Sequence, residues 1–453
     1  SILARCALGT LVALVTLCSA CAADPTVVTI EITTGHESDA FSRDPAVTQV
    51  SVKGIAADGS TLASATTEPG GSFALGEVAV EELIHIEVTG TDSSNTVRAR
   101  GRSPGLVIGT LVSEVWPVFA QRLGEWARPP GQLSHSHVGG LGAVIGERLL
   151  LLTGGQAIGD DSDGTVAFYD LLALGGTTGG TLTRVPKSVV VASDGNAALF
   201  IDDTEALWLD FAAGESTVVE PPSGLTGFDQ VAGGKTVLGP EHSYVVGATR
   251  ADPPSDRVLI VKADRSLASA SLTALRHHAA ATWVPDIGLA VAGGSDGAAG
   301  VEVLAAGATA ASIRPFEPDP VTAAGAVTGI AGSELVLLCG LDGDQPAPVR
   351  SLNLDCVSDC AAVTLDIVLP STLTGCDAYA TDDGQVLLVG HDTGDSQMRA
   401  FAIAIAAATA TELPLREPRI GAVPVPAPNG TLALLGGEHP DGTAALTVEL
   451  LFP

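Results

Sequence analysis

The chain of 453 residues carries 52 acidic against 22 basic side chains, a formal net charge of -30, which repels phosphate backbones and excludes nucleic acid and anionic membrane surfaces as partners. Its 53 glycines and 27 prolines, set among Val, Thr and Ala without long Lys/Glu-rich amphipathic stretches, exclude a helical bundle and predict an all-β chain of short strands and turns. The length exceeds one ordinary core and predicts two or three units.

Residues 1–21 stand apart: Arg5, an apolar stretch from Ala7 to Leu17, then Cys18-Ser19-Ala20-Cys21. That order is an export signal, and the apolar stretch is shorter than the about 20 residues of a membrane span. The small residues before Cys21 resemble a bacterial lipobox, although Leu17 stands four residues before the cysteine and Cys18 occupies the place where Leu is preferred. The resemblance implies lipid on Cys21, membrane contact through that N-terminal anchor only, and a periplasmic or surface lipoprotein of the bacterial cell envelope. A cleaved, soluble secreted form is the other reading.

Residues 26–111 alternate in short runs: Val27 to Thr33, Val47 to Ile55, Thr61 to Thr66, Ser72 to Leu75, Leu83 to Thr89, Thr96 to Ala99 and Leu106 to Ile108. Seven strands at this spacing, with hairpin chemistry at Asp58-Gly59 and Gly70-Gly71, predict a small β-sandwich. The stretch Val50-Ser-Val-Lys-Gly-Ile-Ala-Ala-Asp-Gly-Ser-Thr-Leu-Ala, with Thr66-Thr-Glu-Pro-Gly-Gly-Ser-Phe-Ala-Leu after it, resembles the carboxypeptidase regulatory-like domain. That family is a transthyretin-like sandwich, and the resemblance implies a non-catalytic spacer; an immunoglobulin-like module is the other reading.

Downstream the sequence repeats. Leu149-Leu-Leu-Leu-Thr-Gly154-Gly155 returns as Gly288-Leu-Ala-Val-Ala-Gly293-Gly294 and Thr431-Leu-Ala-Leu-Leu-Gly436-Gly437, with weaker copies whose terminal pairs begin at Asp202, Gly247, Cys339 and Val389. Seven copies at steps of 45 to 50 residues, each an apolar run and a terminal pair, mostly followed by a loop and a second strand such as Val166-Ala-Phe-Tyr-Asp170, resemble the kelch repeat. The resemblance implies a seven-bladed kelch-like β-propeller over 112–453, with six blades and an irregular insertion as the alternative. The last repeat stops at its third strand, so residues 112–123, with Trp116 and Phe119, are expected to supply the fourth and close the ring.

Outside the signal the cysteines are Cys339, Cys356, Cys360 and Cys376. An even number confined to one stretch of an exported chain predicts disulfides, of unassigned pairing.

No catalytic set is found. The copper radical oxidases of kelch-like propellers need a Tyr-Cys crosslink, a second Tyr and two His, and none of Tyr169, Tyr244 and Tyr379 stands in that context. The turns at Ser193-Asp-Gly195 and Ser295-Asp-Gly297 lack the Thr-Trp continuation of sialidase Asp boxes. The loops after the glycine pairs should emerge on one face, carrying Asp160, Asp161, Asp163, Asp296, Asp342, Asp344, Asp392 and Asp395. The connections entering each blade bring His135, His137, His277 and His278 to the same face, while Arg276 and Arg419 are expected to brace blades through carboxylates or carbonyls. Oxygen-rich loops such as Gly159-Asp-Asp-Ser-Asp-Gly164 have the donors that Ca²⁺ prefers; equally, Asp and Gly are turn formers. The sequence therefore predicts no resident cofactor beyond that Ca²⁺ option and a non-enzymatic binding or scaffold module with a protein partner. A metal-dependent extracellular hydrolase or oxidase on the acidic and histidine face is the alternative.

Overall fold

The computed structural model describes residues 27–77, 83–107, 115–159, 161–294, 297–318, 325–343, 345–381 and 384–453. The export and lipidation reading at Cys21 lies outside the described residues, as do Asp160, Asp296 and Asp344.

The N-terminal strands are β1 (Val27–Thr33), β2 (Gln49–Ala56), β3 (Thr61–Thr67), β4 (Ser72–Glu77), β5 (Leu83–Thr91), β6 (Val97–Arg102), β7 (Leu106–Val107) and β8 (Val115–Arg122). They form one sheet in the order β3-β2-β5-β6-β8-β1-β4, with β7 on β5. Period-2 alternation in β2 and β5 turns Val50, Val52, Ile84, Ile86 and Val88 inward, where Ile30, Phe73 and Trp116 complete the core. Strand β8 joins two groups of strands: Val115 to Phe119 run parallel to β1, and Ala120 to Arg122 pair antiparallel with β6.

Seven four-stranded antiparallel sheets follow, at 141–181, 188–219, 235–276, 280–314, 326–364, 373–412 and 423–451. These are blades one to seven of a β-propeller, each a meander from an innermost strand A to an outermost strand D. The apolar runs of the repeat are the second strands. Such a strand is covered on both faces, so it reads as a continuous apolar run: Leu150 and Leu152 pack toward Val425, Ala433 and Leu435 of blade seven, whereas Leu151 packs toward Val189 and Phe200 of blade two. Further clusters fill each remaining space between neighbouring blades. The hydrophobic core is thus a ring of seven wedges.

The glycine pair has a steric cause. Gly154 and Gly155 have φ of +66° and +65°, and added Cβ atoms would lie 2.7 Å from the Pro186 carbonyl and 2.4 Å from that of Val138. The second strand must turn beneath the connection entering its own blade and the one leading to the next, and a side chain has no room there.

Ring closure corrects one expectation. Residues 115–122 of the expected closing stretch belong to β8, because Trp116, Val118 and Ala120 fill the N-terminal core at 0–1% exposure; 112–114 lie outside the described residues. The N-terminal sheet accordingly runs to Arg122, past the expected boundary at 111. The chain turns at Gly124, whose N–H donates to the Phe452 carbonyl. Strand β9 (Trp126–Ala127) then supplies the fourth strand of blade seven, opposite Leu450 and Leu451. The chain before the repeats does close the ring, with two residues just beyond the expected segment.

Ion pairs lock that closure. Glu125 bonds Arg43 of the N-terminal region and Arg416, each at 2.7 Å, and Arg128 joins Glu37 to Glu417. Beneath them Arg419 and Glu449, both with 0% side-chain exposure, meet at 3.2 Å. Arg276 and Glu302 repeat the arrangement at the entrance to blade four, at 1% and 0%. Each arginine also donates to the carbonyl of the first glycine of its blade's pair, Gly436 and Gly293. Both arginines therefore brace blades as expected.

Two disulfides are present among the described residues. Cys339–Cys376 joins blade five to blade six, and Cys356–Cys360 closes a short loop within blade five. Disulfides persist in oxidising compartments. Among the described residues no helix is long and apolar enough to cross a membrane.

Candidate functional site

In a meander the end of the second strand and the start of the first share one side, so the loops after the glycine pairs and the connections between blades emerge together. Most of their carboxylates hold the loops themselves. Asp202 Oδ1 accepts the N–H groups of Thr204 and Glu205 at 2.6 and 2.9 Å, and Asp203 pairs with Lys187. Asp392 accepts the Gly394 N–H at 2.8 Å, which holds its carboxyl below the usual range. Asp395 accepts the Gln397 N–H and pairs with Arg399 at 2.7 Å, and the Thr443 hydroxyl and N–H lower Asp441. These are Asx turns, the bland reading of an Asp-Gly-rich loop.

The loop weighed as a Ca²⁺ site divides its donors. Asp161 bonds His135 Nδ1 at 2.7 Å, whose Nε2 lies 3.2 Å from Thr178 Oγ1, while Asp163 accepts the Ala157 N–H at 2.8 Å. Asp342 is exposed on a small hairpin at 341–346. His137 is not on the face: at 0% exposure it lies where the connection enters blade one, and burial lowers its pKa. His391, which the sequence reading passed over, is a similar joint. Its Nε2 accepts the Gly421 N–H of the connection to blade seven at 3.1 Å, and burial lowers its pKa as well.

The mouth of the central channel on this face is crossed by one lysine. Lys235 begins the innermost strand of blade three, and its Nζ donates to the Cys376 carbonyl at 2.8 Å and to Asp377 Oδ1 at 2.5 Å. Cys376 and Asp377 belong to blade six, on the opposite side of the ring, so the contact spans the channel beside the inter-blade disulfide.

The two histidines at the entrance to blade four do come together, and a third residue joins them. Asp252 reaches the pair from the loop after the second strand of blade three; a single ligand atom from each of Asp252, His277 and His278 lies within 4.8 Å of the others. The His277 N–H donates to the Gly294 carbonyl and the His278 N–H to the Arg250 carbonyl. This fixes both backbones, His278 at φ +53°. Arg250 is 7% exposed and donates to the carbonyls of Asp229 and Pro253, so the loop bearing Asp252 is anchored from below. The signal that could have found Asp252 is the repeat register, which sets the second loop of one blade against the connection entering the next.

A separate groove of about 780 Å³ lies between the N-terminal sheet, at Glu87, Thr89, Arg100 and Arg102, and the A–B hairpins of blades six and seven, including Tyr379, Pro426 and Asn429. It lies toward the disc face opposite the acidic loops.

No family model matches the sequence, and no curated protein matches it. Among solved structures, a chain from "Crystal Structure of Mitotic Checkpoint Complex" is similar at TM-score 0.46 and 10% identity, over 70% of this chain and 90% of that chain. A similarity of that size carries no functional argument, and the reading below rests on the geometry.

Proposed function

We propose that this chain is an exported, non-catalytic binding or scaffold module that presents the loop-rich face of a kelch-like propeller to a protein partner. The observation that carries the reading is where the N-terminal sheet sits. Its contacts fall on blades seven and one: Asn429 of a blade-seven hairpin donates to the Arg102 carbonyl, Leu172 of a blade-one hairpin packs against the N-terminal core, and Gly35 abuts Arg128 and Pro129 between the two blades. The acidic loops of blades two to five project away from that mount. An N-terminal sandwich used as a spacer, with a lipid on Cys21, would hold the propeller off a membrane with those loops outward.

The acidic surface suits a basic protein surface and repels nucleic acid. The turn-capping roles of Asp202, Asp392, Asp395 and Asp441 support binding over catalysis, because loops pinned by their own carboxylates make a fixed recognition surface. The test is a screen of the purified mature protein, disulfides intact, against hydrolase and oxidase substrates, alongside capture of basic proteins by the wild type and by a variant neutralising Asp203, Asp252 and Asp342. Capture lost in the variant and no turnover is the expected result. Turnover that disappears with His277→Ala or Asp163→Asn overturns the reading.

A further inference from the structure

We infer that Asp252, His277 and His278 form a binding site for one divalent transition-metal ion of the zinc class. Two imidazoles and one carboxylate are the donors that Zn²⁺, Ni²⁺ and Cu²⁺ take, whereas Ca²⁺ takes a shell of hard oxygens. The proposal therefore departs from the Ca²⁺ option of the sequence in both metal and residues, and it stands independently of the binding reading above.

Three observations carry it. The ligand atoms already lie within 4.8 Å of one another; an ion with bonds of about 2.1 Å holds tetrahedral donors about 3.4 Å apart, so only rotation of side chains separates the present arrangement from a bound one. His277 Nδ1 lies 3.0 Å from the Ala251 carbonyl, which can only accept, and 3.4 Å from Asp252 Oδ1. Nδ1 therefore carries the proton and Nε2 the lone pair, with the carbonyl as the outer contact that orients a metal-ligating histidine, and the exposed Asp252 carboxylate turns from Nδ1 toward the Nε2 side to share an ion with it. The backbone is fixed from both blades by the His277–Gly294 and His278–Arg250 hydrogen bonds, so the two residues are held side by side without an ion.

The Asp252 side chain is 79% exposed and that of His277 27%. Such a site is open, and three protein donors leave a coordination position for water or a donor atom from a bound molecule. Outside this trio, half-buried His135 also sits beside a carboxylate, but its two ring nitrogens are engaged by Asp161 and Thr178. It is the natural control.

The experiment uses tag-free mature protein with its disulfides intact, dialysed against chelator. Co²⁺ is titrated by visible absorption and Zn²⁺ by calorimetry, for the wild type, Asp252→Asn, His278→Ala and His135→Ala, with thermal melts confirming that each variant folds. The expected result is one ion per chain, with affinity reduced at least about tenfold by Asp252→Asn and by His278→Ala, a loss no smaller than that of removing an outer contact of a metal ligand, and unchanged by His135→Ala. Three outcomes overturn the proposal: no stoichiometric binding, binding that survives both ligand variants, or binding that falls with His135→Ala instead. Wild-type binding that Ca²⁺ displaces as readily as Zn²⁺ also overturns it, since an oxygen site elsewhere would then be holding the ion.

Discussion

Replacing Glu449 by Ala tests whether blade seven is held shut from below. The carboxylate is fully buried and accepts three hydrogen bonds: from Arg419 Nε at 3.2 Å, from the Arg416 N–H at 2.8 Å and from the Glu417 N–H at 3.1 Å. Removing it leaves the Arg419 guanidinium, also at 0% exposure, with carbonyl and hydroxyl partners and only the more distant Glu417 carboxylate at 3.5 Å, together with two backbone donors that have lost their acceptor. Breaking a buried pair from one side costs about 3–5 kcal/mol. Urea unfolding of the disulfide-intact protein should show a loss of that size. Trp126, buried at 0% in β9, should become solvent-exposed at lower urea than in the wild type, because the strand it sits on completes blade seven. The control is Asp203→Ala, which breaks an ion pair whose side chains are 50% and 52% exposed and should cost less than about 1 kcal/mol. If Glu449→Ala costs no more than the control, the closure does not depend on this pair and the reasoning fails.

The two disulfides should differ in worth. Loop-closure entropy for a separation of 37 residues gives about 4 kcal/mol for Cys339–Cys376, against about 2 kcal/mol for the separation of 4 at Cys356–Cys360, so unfolding midpoints of the paired Ser variants should rank in that order. Asp92 gives a pH signature: the Ser94 hydroxyl and Arg98 hold its carboxyl well below the usual range. A depressed folded pKa contributes stability that is complete above the unfolded value of about 3.9 and lost as pH falls through the folded value. The gap in urea midpoint between wild type and Asp92→Asn should therefore be constant from pH 7 to about pH 5 and narrow below about pH 4; a gap that widens in acid contradicts this. Lys235→Ala, which removes the bar across the channel from a side chain 43% exposed, should cost at most about 1 kcal/mol, and a loss above about 2 kcal/mol would show that the bar holds the ring together.

The propeller was legible because its second strands are buried on both faces, so the run Leu149 to Thr153 and its copies read as repeated apolar words ending in glycines the geometry demands. The seven N-terminal strands were legible for the same kind of reason, alternation at period 2. Strand β9 was not, since two residues carry no periodicity, and Trp116 and Phe119 drew attention to β8, where Trp116 fills the N-terminal core while Phe119 packs into the cluster between blades seven and one. The candidate site was legible only in part. Repeat register placed His277 and His278 in the connection entering blade four, whereas Asp252, 25 positions earlier, stands in no local motif and is reached only by carrying that register on to the second loop of blade three. His137 failed as a surface residue because its position in the connection matches that of the buried Arg276 and Arg419.

That match makes the blades a natural experiment in how to build one joint. His137 stands four residues before the first strand of blade one (Leu141–Ile145), as Arg419 stands before Val423–Pro426 and Arg276 before Ala280–Val284. Leu152, two residues before Gly154, faces Ala167 on the third strand. Leu434, two before Gly436, faces Glu449, and Val291, two before Gly293, faces Glu302. Blade one has exchanged both members of the buried pair together, so no charge is left alone. It also satisfies the carbonyl that the arginine would have met: the Thr153 hydroxyl donates to the Thr165 carbonyl at 3.0 Å, where in blade seven Arg419 donates to the Thr447 carbonyl at 2.6 Å. The residue of blade seven that corresponds to Thr153 is Leu435. Carrying the blade-one solution across, as Arg419→His with Leu435→Thr and Glu449→Ala, should therefore recover more than half of the stability lost in Glu449→Ala alone. The double variant without Leu435→Thr should recover less, because the Thr447 carbonyl would remain without its donor, a deficit of about 1–3 kcal/mol. If the double and triple variants unfold at the same urea concentration, the threonine of blade one is not standing in for the arginine, and the three joints are not variants of one design.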